Sequence, residues 1–381
     1  MRRRDFLASA AALAGLSAFG WQRSTAAPAA PLTRVVLPAL AADVSAAPSR
    51  PYRMGWFMVP PKPSVESVLA TFPEAAKHSD AVLLQREVPW SRILAGTSMQ
   101  TIVAEDYDGL IAYLRGLGFH VSILVDPLDG LDRTREANET RNADRTLNDP
   151  ALRDLHEQWV ELLAARYRPD YLGLASEINS LAARGDPTLF ANLRDMCNRL
   201  APRVRSLAPG TKVFVSFQVD EAWGRPPVPP SSVDHFALAR DFDVDVMGLS
   251  SYPSFFFDQP SEIPDDYFRR LQVASGKPVI MAEGGWSSDR FGTGETPFSL
   301  AQQAAFHARL LDLMDSVQAE LVILLLFADL DIEAYAATAA PGQNIEGLRP
   351  FSKMGIVTSE LAPKPAFEAW AARHALPYRG T

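Results

Sequence analysis

The sequence is poor in the residues that build disulfide frameworks and metal centres. It has one cysteine, Cys197, among 381 residues, so no disulfide can form within the chain. Its six histidines include no H-E-x-x-H pair and no other clustered spacing, which argues against a catalytic zinc. The fold must therefore be stabilised by a hydrophobic core, which this length permits. We expect neither a metal nor a cofactor.

A long apolar segment and an excess of basic residues are also lacking. The apolar run at 7–19 is shorter than the roughly 20 residues of a membrane-spanning helix, and it is rich in Ala and Gly, so we expect no stable membrane anchor. The formal net charge is −8, and removing the first 26 residues, whose net charge is +3, leaves −11. This acidic balance argues against nucleic acid as a partner.

The N-terminal residues are typical of an exported protein. Arg3 and Arg4 begin the pattern R-R-x-F-L, the apolar run follows, and small residues occupy 24–27. We therefore predict a twin-arginine signal peptide over 1–26, recognition by the twin-arginine export machinery, and a mature protein that is periplasmic or secreted. Residues 27–50, rich in Ala, Pro and Ser, are predicted to be a linker before a folded domain over 51–378.

Short apolar segments alternate with helical segments along the folded region. The predicted strands, each rich in β-branched and other apolar residues, are 53–59, 81–88, 119–126, 171–178, 212–219, 244–251, 278–284 and 321–328. Continuous apolar strands of this kind favour a parallel sheet covered by helices, and eight units predict a single (β/α)₈ TIM barrel. A doubly wound open sheet is the alternative.

The connections are long on one side of this predicted barrel. Helix-to-strand connections such as 116–118, 208–210 and 275–277 are short, whereas strand-to-helix connections such as 127–149 and 329–362 are long. In a barrel all of the long connections emerge at the carboxyl ends of the strands. This is the end at which TIM barrels build their active sites.

Two acidic residues end apolar strands at that rim. Glu177 follows the fourth predicted strand, and Glu283 lies at the end of the seventh. An ionised carboxylate at the end of a buried strand is costly unless it is paired or used. A salt bridge to a rim arginine would explain either residue alone, but the two together favour a functional site.

These two residues and their surroundings resemble the clan of retaining (β/α)₈ glycoside hydrolases. Within the clan, the segments at 176–179, 248–253 and 282–286 are most similar to the endo-β-1,4-galactanase family. The resemblance implies that Glu177 is the acid/base and Glu283 the nucleophile, with carboxyl groups about 5–5.5 Å apart. It also implies that Arg86 and Tyr252 support the nucleophile.

The resemblance further implies an endo-acting glycosidase with a β-linked polysaccharide or oligosaccharide as substrate, and galactan is the leading candidate. The residues that we predict to bind it lie at or beyond strand ends: Trp56, Trp90, Asn179, Gln218, Trp223, Trp286 and Phe327. Two departures concern substrate identity. Ser176 replaces the Asn that most clan members have before the acid/base, and Phe327 stands where many have Trp.

The departures leave a second hypothesis of another class, a catalytically silent barrel that binds glycans. Activity on β-linked polysaccharides distinguishes it from the hydrolase. A third, a hydrolase of another bond type, has no Ser-His or metal-ligand pattern in its favour.

Overall fold

The computed structural model describes residues 48–225, 231–289, 298–339 and 344–380. Arg3, Arg4 and the rest of the predicted signal peptide lie outside these ranges, as does the predicted linker up to residue 47. Both therefore remain predictions. None of the described helices is long and apolar enough to cross a membrane.

The described residues form ten strands. They are β1 (Arg53–Phe57), β2 (Ala81–Arg86), β3 (His120–Val125), β4 (Leu128–Asp129), β5 (Asp132–Glu136), β6 (Tyr171–Gly173), β7 (Lys212–Gln218), β8 (Val246–Ser251), β9 (Val279–Gly284) and β10 (Leu321–Leu324). Eight of them pair in parallel and close into a barrel, in the order β1-β10-β9-β8-β7-β6-β3-β2. Strands β4 and β5 form a separate antiparallel hairpin in the loop after β3. The predicted TIM barrel is confirmed, and closure excludes the open sheet.

Helices cover the outside of the barrel. They are α1 (Val65–Ala76), α2 (Trp90–Leu94), α3 (Met99–Val103), α4 (Gly109–Gly116), α5 (Asn138–Asn142), α6 (Pro150–Tyr167), α7 (Ile178–Arg184), α8 (Pro187–Leu207), α9 (Val219–Ala222), α10 (His235–Leu238), α11 (Arg269–Ser275), α12 (Leu300–Ser316), α13 (Ile332–Thr338) and α14 (Ala366–His374). The two longest begin alike, because Asp149 and Asp186 cap an N-terminal turn that starts with proline.

Side chains alternate between the inside and the outside of the barrel. Leu83, Phe214 and Ile280 belong to one buried cluster, which fills the interior. Their neighbours Val82 and Val213 belong to a second, larger cluster between strands and helices. Because the period along a strand is two, this alternation decides which rim residues point into the barrel mouth.

Most strand boundaries shift by one or two residues from the sequence prediction, and two strands are shorter by four residues or more. Strand β6 ends at Gly173 rather than continuing to 178, and β10 ends at Leu324 rather than 328, because the chain turns into the rim there. Arg50, predicted as the last linker residue, is buried instead. Its backbone bridges to Tyr378, and its guanidinium forms a salt bridge with Asp80.

Candidate active site

Glu177 and Glu283 both lie at the carboxyl end of the barrel and are buried. Glu177 immediately precedes α7, and Glu283 is the penultimate residue of β9. Their side chains are 1% and 2% exposed. Ser250 of β8 links them, since it pairs with Glu283 across the β8–β9 ladder and its hydroxyl donates to Glu177 Oε1 at 2.6 Å.

A β-bulge directs Glu283 into the barrel. Leu249 pairs with Met281 but the next residue, Ser250, pairs with Glu283, so Ala282 is an extra residue in β9. Ala282 belongs to the interior cluster, and strict alternation would turn the following side chain outward. A bulge re-aims the side chain that follows it, which explains how Glu283 faces the mouth of the barrel.

Glu177 has a backbone conformation that side chains rarely adopt. Its φ is 48° and its ψ is 39°, in the left-handed region, which costs of order 1–3 kcal/mol for a residue other than glycine. This conformation turns the segment that follows β6 into the first residue of α7. The hydroxyl of Ser216 on β7 accepts a hydrogen bond from the Glu177 backbone N–H at 2.9 Å and helps to hold this turn.

An arginine that the sequence did not reveal pairs with Glu177. Arg133 of β5 donates from Nε to Glu177 Oε2 at 3.1 Å and from Nη1 to Asp126. Asp126, which follows β3, also accepts from Gln85 Nε2 at 2.6 Å. A chain of hydrogen bonds therefore runs from β2 through Asp126 and Arg133 to Glu177. Arg133 is 6% exposed, so water screens this pair little.

Glu283 has a different environment. Its Oε1 accepts a hydrogen bond from the Tyr252 hydroxyl. Burial, and next the negative charge of Glu177, raise the pKa of Glu283 to about 8, although Arg133 and Tyr252 oppose the shift. Burial also raises the pKa of Glu177, against the effects of Arg133 and Ser250. The negative charge of Glu177 thus acts on Glu283. The predicted separation of their carboxyls, about 5–5.5 Å, stays a prediction.

Asp220 on α9 holds Tyr252 in place. Its carboxylate accepts from the Tyr252 backbone N–H at 2.8 Å, from Ser251 Oγ at 3.0 Å and from Gln218 Nε2 at 2.9 Å. The hydroxyl of Tyr267 is a fourth donor. Burial raises the pKa of Asp220 to about 6 despite these donors. Asp220 therefore orients the phenol that meets Glu283.

Arg86 does not take the position that we predicted beside Glu283. It lies outside the barrel, 4.9 Å from the ring centroid of Tyr107, and its Nη1 reaches the Asp106 carbonyl at 3.5 Å. Strand alternation explains the correction, because Gln85, the preceding residue, occupies the inward position. The guanidinium of the site comes from Arg133 instead.

Four of the predicted sugar-binding rings are buried in packing. Trp56 packs on Trp370 with centroids 4.2 Å apart, and Phe327 meets Trp56 at 5.7 Å. Trp90 and Trp286 are each 1% exposed. The prediction of exposed stacking faces is therefore wrong for these four residues, since Trp56 points outward from β1 and the other three rings are enclosed by neighbouring side chains.

Trp223 is the predicted ring that keeps some exposure. It is partly buried, stacks on Tyr267 at 4.9 Å, and has the Arg270 guanidinium 4.3 Å from its centroid. Its indole N–H donates to the Tyr267 carbonyl at 3.0 Å. Trp223 therefore contacts the residue that supports Asp220.

The amide side chains of Asn179 and Gln218 bind protein groups. Asn179 accepts from the Gln218 backbone N–H at 2.8 Å, and its Nδ2 lies 3.1 Å from both the Gln218 carbonyl and His235 Nδ1. Gln218 Oε1 accepts from the Glu221 N–H at 2.6 Å. These groups join β7 to α7 and α9. Since their amides are occupied, the prediction that they bind sugar is not supported.

Within the described ranges, no group of three or more His, Cys, Asp or Glu side chains is placed to hold a metal ion. The carboxyls of the site pair with Arg133 and with hydroxyl donors instead. The arrangement offers two interacting carboxyls, a fixed guanidinium and a phenol at the mouth of a barrel.

No family model matches the chain, and no curated protein matches it in sequence. Solved structures do match its fold. The GH5_18 protein from Streptomyces cattleya, in complex with GlcNAc, is 17% identical over 86% of this chain and 80% of its own, with a TM-score of 0.58. An exo-β-1,4-mannosidase from Opitutaceae bacterium strain TAV5 is 13% identical over 86% and 60%, with a TM-score of 0.61. Xylanase 10B from Thermotoga maritima is 12% identical over 85% and 95%, with a TM-score of 0.58. At these identities the likeness establishes the fold.

Proposed function

We propose that the protein is a retaining β-glycosidase in which Glu177 is the acid/base and Glu283 the nucleophile. The observation that carries the proposal is the interacting pair of buried carboxyls at the carboxyl ends of two barrel strands. Structures with the same fold include a β-1,4-mannosidase and a xylanase, and this supports the reaction class. Fold alone does not imply function, so the residues at the barrel mouth carry the argument.

The mechanism that we propose is a double displacement. Glu283 attacks the anomeric carbon as a carboxylate, while Glu177 gives a proton to the departing oxygen; Glu177 then takes a proton from water as the glycosyl ester is hydrolysed. Tyr252 donates to Glu283 and so favours the ionised form that attacks.

The substrate that we propose is a β-linked polysaccharide or oligosaccharide. Galactan is the first candidate from the sequence resemblance, and β-mannosides and xylan follow from the names of the structural neighbours. To identify the substrate, the mature protein is incubated with a panel of β-linked glycans, and the release of reducing ends is measured for each glycan. Binding of a glycan without hydrolysis would instead support a catalytically silent barrel.

Alanine variants at the two glutamates test the roles. Glu177→Ala should spare glycosylation by a substrate with an activated aryl leaving group, which needs little protonation, and should slow the natural glycan by orders of magnitude. Glu283→Ala should inactivate the protein on both substrates, because no leaving group replaces a nucleophile. Rates on the two substrates, measured side by side, distinguish the variants.

Azide gives a second readout. Added azide should yield the β-glycosyl azide with Glu177→Ala and the α-anomer with Glu283→Ala, since attack comes from opposite faces. Glu320→Ala is the matched control: this carboxylate lies just before β10, at the other end of the barrel, with Tyr171 and Lys212. The same anomer from both variants, or equal losses on both substrates, would contradict the assignment.

A further inference from the structure

The buried site contains more carboxyls than cations. Asp126, Glu177 and Glu283 all act on one guanidinium, that of Arg133. The three acids are 1%, 1% and 2% exposed. With all three ionised, two negative charges would be uncompensated in a region that excludes water, which is costly. The glutamate pair therefore keeps a proton, and the question is which carboxyl holds it.

The hydrogen-bond donors are divided unequally between the two glutamates. Glu177 accepts on both oxygens, from Arg133 Nε at 3.1 Å and from Ser250 Oγ at 2.6 Å. Glu283 accepts from Tyr252 on Oε1. A carboxylate that receives a charged and a neutral donor is stabilised more than one that receives a phenol. The donors therefore favour ionisation of Glu177 and leave the proton to Glu283.

We propose that Arg133 is a positioning residue that keeps Glu177 ionised and the proton of the pair on Glu283 while the site is empty. Burial and the charge of Glu177 raise the pKa of Glu283 to about 8, in agreement with this distribution. The position of the proton is inferred from the hydrogen bonds of the two glutamates. Its role in catalysis rests on the proposed function.

A retaining reaction needs the opposite distribution. Before the first step, the proton must leave Glu283 and reach Glu177, so that the pair keeps one proton and exchanges roles. Arg133 offers a way to couple this transfer to binding, because a movement of its guanidinium away from Glu177 would raise the proton affinity of that carboxyl.

The charged groups around the pair come from several elements. Arg133 and Asp126 face it from the hairpin side, and Tyr252 faces it from the residue that follows β8. The negative charge of Glu221 on α9 raises the pKa of Glu177. Glu221 is paired with Arg184, which reduces its influence. Arg133 is therefore the nearest positive charge among the groups that act on Glu177.

Carbon-13 NMR of the mature protein, labelled at the glutamate carboxyls, tests the placement without any turnover. Between pH 4 and 9, the Glu283 signal should titrate near pH 8 and the Glu177 signal should be that of a carboxylate at neutral pH. Glu177→Gln and Glu283→Gln assign the two signals. A wild-type protein with a protonated Glu177 and an ionised Glu283 at pH 7 would overturn the proposal.

Variants at Arg133 test its role. Arg133→Gln should increase the protonated fraction of Glu177 at pH 7 by about tenfold or more, the effect of removing a charge at hydrogen-bond distance. Arg135→Gln, two residues along β5 and paired with Asp129 and Asp132, should leave both signals unchanged. Equal titrations in wild type and Arg133→Gln would overturn the proposal.

Arg133→Gln leaves Asp126 and Glu177 without a cation, so a second variant separates loss of charge from loss of stability. Arg133→Lys keeps the charge and should preserve the wild-type distribution, which a purely steric role of the guanidinium would not predict. The position of the proton and the glycosidase activity are tested by separate measurements. A protein that places its proton as described and yet hydrolyses no glycan would contradict only the glycosidase.

Discussion

At the scale of the residue, Tyr252 joins the chemistry of the site to its support. Its hydroxyl donates to Glu283, and its backbone N–H donates to Asp220. Its ring meets Phe351 at 5.2 Å and Phe255 at 6.1 Å. The phenol is therefore fixed from the backbone and from the ring, so it can hold the Glu283 carboxyl in one orientation.

Tyr252→Phe removes the donor and keeps the ring. Because the phenol favours ionised Glu283, its loss should raise the pKa of that carboxyl, and the acidic limb of kcat/KM should move to higher pH. At pH 6 we expect kcat/KM to fall by about 10- to 100-fold, the value of a hydrogen bond to a charged group. Tyr335→Phe, which loses a bond to the Pro60 carbonyl, is the control. A lower rate with an unshifted pH profile would mean that Tyr252 only packs.

The sequence could predict Glu177, Glu283 and Tyr252, because each lies in a short segment with a recognisable pattern. It could not predict Arg86 correctly. Strands buried on both faces are apolar throughout, so the sequence does not indicate whether Gln85 or Arg86 points inward. Arg133 was missed for another reason, since no apolar pattern surrounds it.

At the scale of the element, all eight barrel strands were predictable from apolar runs, whereas their irregularities were not. The hairpin of β4 and β5 has the polar sequence of a loop, and β4 has only two residues. The bulge at Ala282 depends on pairing with β8, which is a long-range contact. The two features that the apolar pattern could not show are those that position Arg133 and Glu283.

Gly55 tests the packing of one barrel strand. A Cβ at this position would collide with the backbone carbonyl of Ala81 in β2, so the two strands would have to separate. Gly55→Ala should lower the free energy of unfolding by about 1–3 kcal/mol, as overpacking does. Gly116→Ala, at the end of α4 where no atom lies within 4 Å of the new Cβ, should be neutral or slightly stabilising. Urea titrations measure both, and equal stability of the two variants would contradict the close approach.

At the scale of the whole molecule, contacts between distant parts of the chain close the barrel. Arg50 binds Asp80 through both terminal nitrogens, and His374 at the end of α14 lies 3.2 Å from the same carboxylate. These donors hold the pKa of Asp80 well below its usual value. The two ends of the folded domain therefore meet beside the start of β2.

Buried histidines should make the stability of the whole domain sensitive to acid. His156 lies on α6 without a hydrogen-bond partner for either nitrogen, and burial lowers its pKa to about 4. The native state thus binds the proton more weakly than the unfolded chain, so stability present above pH 6.5 is lost as pH falls towards 4. His156→Leu should remove about 1.4 kcal/mol of this loss per pH unit.

Thermal or urea unfolding at pH 7.5 and pH 5 measures this effect. The difference in free energy of unfolding between the two pH values should be about 2 kcal/mol smaller in His156→Leu than in wild type. His120→Leu is the control, because His120 is only partly buried and its ring lies 3.1 Å from the Asp170 carboxylate. If the free energy of unfolding changes between the two pH values by the same amount in His156→Leu as in wild type, native His156 binds its proton as readily as the unfolded chain does.

Export concerns residues outside the described ranges and remains a proposal. Replacing Arg3 and Arg4 by Lys should leave unprocessed precursor in the cytoplasm, because the twin-arginine export machinery recognises that pair. Arg2→Lys keeps the pair and should be processed normally. Immunoblots of cell fractions report the outcome, and periplasmic recovery of the double variant would show that another route carries the protein.

The hairpin of β4 and β5 stands apart from the closed barrel, pairing only with itself. Insertions and deletions in such a rim loop leave the strand ladder intact. A change at Arg133 therefore alters the charge beside Glu177 without breaking a strand pair of the barrel. For protein engineering, residues 127–137 are a segment in which the proton affinity of the glutamate pair can be changed while the eight-stranded ladder is kept, provided that the buried contacts of Leu128 and Leu131 are preserved.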